Sequence, residues 1–236
     1  MNLYLLVEGR AELSVYPAWI EYFTEGRLTK CKAAADVVHN NYFIFNGGGA
    51  GTMKHHSIVD SIKEISAHPV FDYFVVVIDA EDQTVRERAR LVEMVIEEAT
   101  VALPTNCTVQ IIVQKVCFET WLCGHTDYFI RARSSTDRNV KMFVDDYDME
   151  SLDPEDMPTN PANRPNLRQL TIGKYHFLYL SHMLRPSSYG KGRAGALADI
   201  SYLERLIQRR EETPAHLQTL QDFLSFMDQV RRGMQV

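Results

Sequence analysis

Two apolar runs in this chain of 236 residues each end in carboxylates. Leu3-Tyr4-Leu5-Leu6-Val7 leads into Glu8, with Glu12 four residues further on, and Phe74-Val75-Val76-Val77-Ile78 leads into Asp79, Glu81 and Asp82. A third carboxylate, Glu119, stands in the otherwise apolar stretch Val116-Cys117-Phe118-Glu119-Thr120-Trp121-Leu122. In an open α/β sheet the carboxyl ends of parallel strands form the ligand crevice. Acidic side chains gathered there repel one another unless a cation neutralises them, and hard oxygen donors suit Mg²⁺ or Mn²⁺. The pattern points to metal-dependent phosphate chemistry.

Each of these residues also has a plainer reading. Glu12 falls in the first turn of a helix expected over 12–24, where the positive end of the helix dipole favours a carboxylate. Asp82 is the expected cap of the next helix, ahead of Thr84. Asp79 follows Ile78 with no turn residue between them, which favours a ligand role. Gly9 beside Glu8 permits a tight turn at a buried strand end. Glu119 is costly in an apolar segment unless it is coordinated or held in a buried salt bridge.

The elements that would position these groups alternate in type. Strands are expected at 2–7, 42–46, 73–78 and 108–114, with helices at 12–24, 53–67 and 85–100 between them, which favours a parallel sheet with crossover helices. The stretch 73–78 is apolar throughout, as a strand covered on both faces requires. Helical faces are formed by Leu13, Tyr16, Ile20 and Phe23, by Ile58, Ile62 and Ile65, and by Val85, Ala89, Val92 and Ile96. Residues 145–166 are acidic and rich in Pro and Asn, and read as an exposed loop or a disordered insertion. Helices are expected again over 172–184, 196–211 and 215–232. The division that follows is an α/β core over 1–130, with an acidic Pro-rich loop and a helical extension over 131–236 packed on it.

Composition narrows the classes. The hydrophobic and charged fractions, 45% and 24%, are ordinary for a globular protein. No apolar run approaches the roughly 20 residues of a membrane helix, and the first residues turn acidic too soon for a signal peptide. A cytoplasmic location and no membrane partner are expected. Cys31, Cys107, Cys117 and Cys123 lack zinc-site spacing and are expected to be reduced. The net charge of −6 argues against coating nucleic acid by bulk electrostatics. Residues 185–236 carry eight Lys/Arg against six Asp/Glu, whereas 145–156 hold seven carboxylates and no basic residue. The loop Gly47-Gly48-Gly49-Ala50-Gly51-Thr52 is not followed by Gly-Lys-Ser/Thr, so it is no Walker A motif. Any ATPase working with this chain would be a separate protein.

Together these segments resemble the Toprim fold of primases, topoisomerases and OLD-family nucleases, and small stand-alone Toprim-like proteins. Glu8-Gly9-Arg10-Ala11-Glu12 matches the family's Glu-x-x-x-Glu; Asp79-Ala80-Glu81 matches its Asp-x-Asp with Glu in the last place; Cys117-Phe118-Glu119 matches its Ser-x-Glu with Cys for Ser. Lys191, in Ser188-Tyr189-Gly190-Lys191-Gly192, is the candidate for the family's later lysine, or else a solvated lysine in a Gly-rich turn. The resemblance implies a Toprim-like (Rossmann-like) α/β fold with a mostly parallel sheet flanked by helices. It also implies a Mg²⁺ or Mn²⁺ site built on Glu8, Glu12, Asp79, Glu81 and Glu119, with Glu8, Asp79 and Lys191 catalytic. The implied activity is hydrolysis of DNA or RNA, as a nuclease of the kind used in antiphage defence, with an ATPase partner in a separate chain and a homodimer compatible with the helical tail. The departures at Glu81 and Cys117 leave a second reading, a non-catalytic module that binds a protein partner or nucleic acid. A phosphotransfer fold with an aspartyl nucleophile is disfavoured, because Glu8 follows the first strand where an Asp would be needed.

Overall fold

A computed structural model of the protein describes residues 1–48, 55–158, 170–186 and 193–234. Its strands are β1 (Asn2–Val7), β2 (Thr29–Lys30), β3 (Asn41–Asn46), β4 (Tyr73–Asp79) and β5 (Thr108–Gln114). They form one parallel sheet in the order β2-β3-β1-β4-β5. Leu5 of β1 lies beside Ile44 of β3 and Val75 of β4. All of β1 is buried, as is β4 from Phe74 to Ile78. Central strands covered on both faces need continuous apolar side chains, and these are the two longest such strands in the sequence. With α1 (Arg10–Thr24), α2 (His55–Ala67) and α3 (Val85–Glu97) as crossovers, the sheet is a Rossmann-like α/β arrangement with further helices on its C-terminal side.

The connections determine where a ligand crevice falls. From β1 the chain moves outward through α1 to β2 and β3; from β4 it moves in the opposite direction, through α3 to β5. Because β1 and β4 are neighbours, their carboxyl ends flank the topological switch point of the sheet, where open α/β folds bind ligands. Right-handed crossovers put α1 on one face and α2 and α3 on the other, and α2 and α3 are in contact. On the α1 side, Tyr16 stacks on Phe223 with ring centroids 5.1 Å apart, and Trp19 meets the same ring edge-on at 5.7 Å.

The chain forms two compact units. The first comprises Met1–Asp79, Thr84–Val113 and Asp222–Val236; the second comprises Ala80–Gln83 and Gln114–Gln221. The second unit contains α4 (Phe118–Leu122), α5 (Thr126–Arg133), α6 (Arg138–Val144), α7 (Ile172–Met183), α8 (Arg193–Leu197) and α9 (Ile200–Glu212). The last helix, α10 (Gln218–Gly233), begins in the second unit and continues into the first.

Several local expectations are corrected. Asp82 does not cap α3; Thr84 does, its Oγ1 accepting from Glu87 N–H at 3.2 Å while its own N–H donates to the Glu87 carboxylate at 2.9 Å. The helix expected over 196–211 is broken, and Asp199 starts α9 by accepting from Ser201 N–H at 2.9 Å. The acidic segment, described as far as residue 158, is not an exposed insertion. Met149, Glu155 and Met157 are buried. Asp153 accepts from Glu155 N–H and Leu217 N–H, both at 3.0 Å, and Glu155 accepts from Thr219 N–H at 3.0 Å and Thr219 O–H at 2.6 Å. Its carboxylates satisfy local backbone donors, which a count of charges does not show.

Buried Arg209 fixes the backbone of this segment. Its guanidinium donates to the carbonyls of Gly124 (3.0 Å), Met149 (2.6 Å) and Leu152 (2.7 Å). Replacing it leaves buried carbonyls without donors. Arg209→Ala is expected to lower the unfolding free energy in urea by about 3 kcal/mol, as befits charge-assisted hydrogen bonds. A loss within about 0.5 kcal/mol, as for an ordinary surface change, would show that Arg209 does not hold the segment.

Candidate functional site

At the carboxyl end of β1, Glu8 is 1% exposed. One carboxylate oxygen, Oε2, accepts the backbone N–H of Asp79 at 3.0 Å, so the ends of β1 and β4 are joined at the switch point. The Nη2 atom of Arg88, in the first turns of α3, lies 3.7 Å from the same oxygen. Gly9 supplies the extended residue ahead of α1, so the N-terminus of α1 begins beside this carboxylate. The positive end of its helix dipole favours negative charge. Buried Glu12 turns back toward the same end of α1, accepting from Gly9 N–H at 3.3 Å.

Glu81 and Glu119 belong to the second unit. Glu81 has a left-handed backbone (φ 53°), and its N–H donates at 2.8 Å to the carbonyl of Val116, itself left-handed at φ 68°. A β-branched residue in that region is strained, and such strain tends to collect at functional sites. The Glu81 carboxylate lies against the first turn of α7: a Cβ added at Gly173 would come within 2.9 Å of its Oε2. Cys117 precedes α4, with its sulfur 3.5 Å from Thr120 Oγ1. Half-buried Glu119 has its pKa raised, chiefly by loss of solvation, while its own backbone amide, Cys117 and the Lys174 charge pull the other way. Behind these groups is His176, fully buried and pushed down to about 4 by that burial. Its Nε2 lies 3.0 Å from the Met157 carbonyl, an acceptor only, so Nε2 carries the proton and Nδ1 accepts from Thr120 O–H at 2.8 Å.

The structure therefore brings Glu8 and Asp79 together and sets Glu12 beside them at the start of α1. Lys191 lies outside the described residues, as do 49–52 of the glycine-rich loop. For a divalent cation, the donors are right in kind: two hard carboxylates at one crevice, one of them buried. They fall short in number, since no group of three or more His, Cys, Asp or Glu side chains among the described residues is set to hold a metal ion. Arg88 supplies a positive charge beside the Glu8 carboxylate.

Arg88 is the site residue that the sequence reading omits. Its signal is positional: with Val85 three residues before it and Val92 four after, it falls on the apolar stripe of α3, where an arginine needs a partner. No family model, curated protein or solved structure matches this chain. The likeness to Toprim nucleases therefore stands on the sequence motifs alone.

Glu119 yields a prediction with a definite sign. Its folded pKa lies above the ordinary value, so its ionised form is disfavoured on folding. Below the unfolded pKa both states are protonated and nothing is lost; as pH rises through the folded pKa, stability is lost. Glu119→Gln should be more stable than wild type in urea at pH 7.5, with the advantage gone at pH 4. An advantage of the same size at both pH values would exclude titration of Glu119 as its source.

Proposed function

We propose that this protein is a metal-dependent nuclease that hydrolyses phosphodiesters of DNA or RNA, with Glu8 and Asp79 at the centre of its site. The observation that carries the reading is their position: the Glu8 carboxylate accepts the backbone N–H of Asp79 at the switch point of a parallel sheet. A bound Mg²⁺ or Mn²⁺ would supply polarisation of a phosphoryl oxygen and an activated water. Glu8 and Asp79 would hold it, and Glu12, Glu81 and Glu119 are the further carboxylates assigned to the site by motif. The positive end of the α1 dipole favours an incoming phosphate, and Lys191 is assigned the charge-neutralising role of the family's lysine. The chain has no nucleotide-binding Gly-Lys-Ser/Thr, so work alongside an ATPase in antiphage defence would require a second protein. A homodimer through the C-terminal helices belongs to the same proposal.

The second reading is a non-catalytic module that binds a protein partner or nucleic acid. It is favoured by the Arg88–Glu8 pair, which neutralises the buried carboxylate without any metal.

Cleavage of supercoiled plasmid and of single-stranded DNA and RNA, with Mg²⁺ or Mn²⁺, separates the two. The nuclease reading expects metal-dependent cutting that falls by about a hundredfold or more in Glu8→Ala and Asp79→Asn, the scale seen when one transition-state contact is removed. Cutting that persists in both variants places the activity elsewhere. No cutting by wild type, with nucleic acid still bound, favours the binding module.

A further inference from the structure

We propose that a polar cavity between α5 and α9 binds a small zwitterion, a free amino acid or close analogue, with its carboxylate on Arg131 and its ammonium on Glu204. The cavity lies wholly within the second unit, so the inference goes beyond the nuclease reading and does not rest on it.

The cavity has a volume of about 360 Å³, inside the range of about 300–1,000 Å³ that small-ligand pockets occupy. Four charged side chains line it, Asp127 and Arg131 from α5 and Glu204 and Arg205 from α9. Two of them neutralise each other. Arg205 Nε stands 3.3 Å from Asp127 Oδ1, and Arg205 Nη2 donates to Thr126 Oγ1 at 2.6 Å, which ties α9 to the first turn of α5. The other two keep their charges available: among the described residues neither Arg131 nor Glu204 has an ion-pair partner, and both are exposed. The Arg131 guanidinium lies over the Tyr128 ring, 5.7 Å from its centroid, a cation–π contact that leaves its N–H groups for a ligand. Ser201 and Gln208, also in the lining, donate elsewhere, to Asp199 at 2.8 Å and to Glu212 at 2.7 Å. One cation and one anion therefore remain to be matched at a common cavity.

His125 gives the cavity a rigid wall. It is 8% exposed and packs against Tyr128 and Tyr202, with ring centroids 4.4 Å away in each case, and the Tyr202 hydroxyl is fixed by donating to the Leu122 carbonyl at 2.6 Å. Its pKa is pushed down to about 4, chiefly by burial, which the Asp127 charge opposes and the Arg205 and Arg131 charges reinforce. The imidazole is therefore neutral near pH 7 and repels neither end of a zwitterion. Its Nδ1 is buried without a hydrogen-bond partner, so that nitrogen's polarity is not used inside the fold. Charge selects the ligand class. A guanidinium takes a carboxylate through two parallel N–H···O bonds, and a carboxylate takes an ammonium through charge-assisted ones. A purely anionic ligand such as a nucleotide meets repulsion at Glu204, and a polyamine meets it at Arg131; a molecule with both charges meets neither.

Thermal unfolding of the full chain, with each standard L-amino acid added in turn up to its solubility, tests this. At least one should raise the Tm by about 3 °C or more, the shift expected of a ligand at about ten times its Kd. Arg131→Gln and Glu204→Gln change exposed side chains, so both variants should fold, as their unfolding without ligand will show, and each should lose the shift. The active amino acid should also lose its effect when replaced by the carboxylic acid that lacks its amine or by the amine that lacks its carboxylate. No shift with any amino acid overturns the proposal. So does a shift that persists in either variant, or one that a singly charged analogue reproduces. A shift with ATP or with spermidine, and with no amino acid, assigns the cavity to a different ligand class and overturns it as well.

Discussion

A carboxylate at the buried end of a central strand is the constraint on which this architecture depends. Glu8 is almost fully removed from water, and an isolated charge in that position would cost far more than a small domain can bear. Among the groups that offset it are the Asp79 N–H and the Arg88 guanidinium. The first requires β4 to lie directly beside β1 and to end level with it, which the parallel register from Leu3 beside Tyr73 to Val7 beside Val77 provides. The second requires α3 to start immediately after β4, on the face that a right-handed crossover gives it. Strand order, register and helix placement thus meet at one oxygen atom.

The second unit solves a similar problem in a different way. It buries Arg209, Glu155 and His176, and each is hydrogen-bonded to backbone or hydroxyl groups of the same unit. These contacts join the acidic segment to α4, α7, α9 and the first turn of α10, so its polar groups are structural fixings rather than a surface for ligands. The Glu8 group differs in that its cation makes only a long contact with the carboxylate.

Much of the first unit was legible in the sequence. β1 and β4 are uninterrupted apolar runs, and α3 carries Val85, Ala89 and Val92 at helical spacing, so their type and order followed from pattern alone. The pairing of Glu8 with Asp79 was legible in outline, because both follow the strands that the fold must bury most deeply. What pattern could not show was tertiary in origin. β2 has two residues and exists because Thr29 and Lys30 find Asn41 and Tyr42 beside them. The five to eight residues of α4, α5 and α6 are too few to form without packing. For 145–158, composition records the carboxylates and not the amides and hydroxyls they face. Arg88 was passed over because an arginine on an amphipathic helix is ordinarily a solvated one.

The central claim is that the ends of β1 and β4 form a cation site for phosphodiester chemistry. Crystals grown with saturating Mn²⁺, and anomalous scattering recorded from them, test it most directly. The account predicts an anomalous peak bonded to oxygens of Glu8 and Asp79 at about 2.0–2.3 Å, the range for small hard cations on carboxylates. No peak at either carboxylate would contradict it.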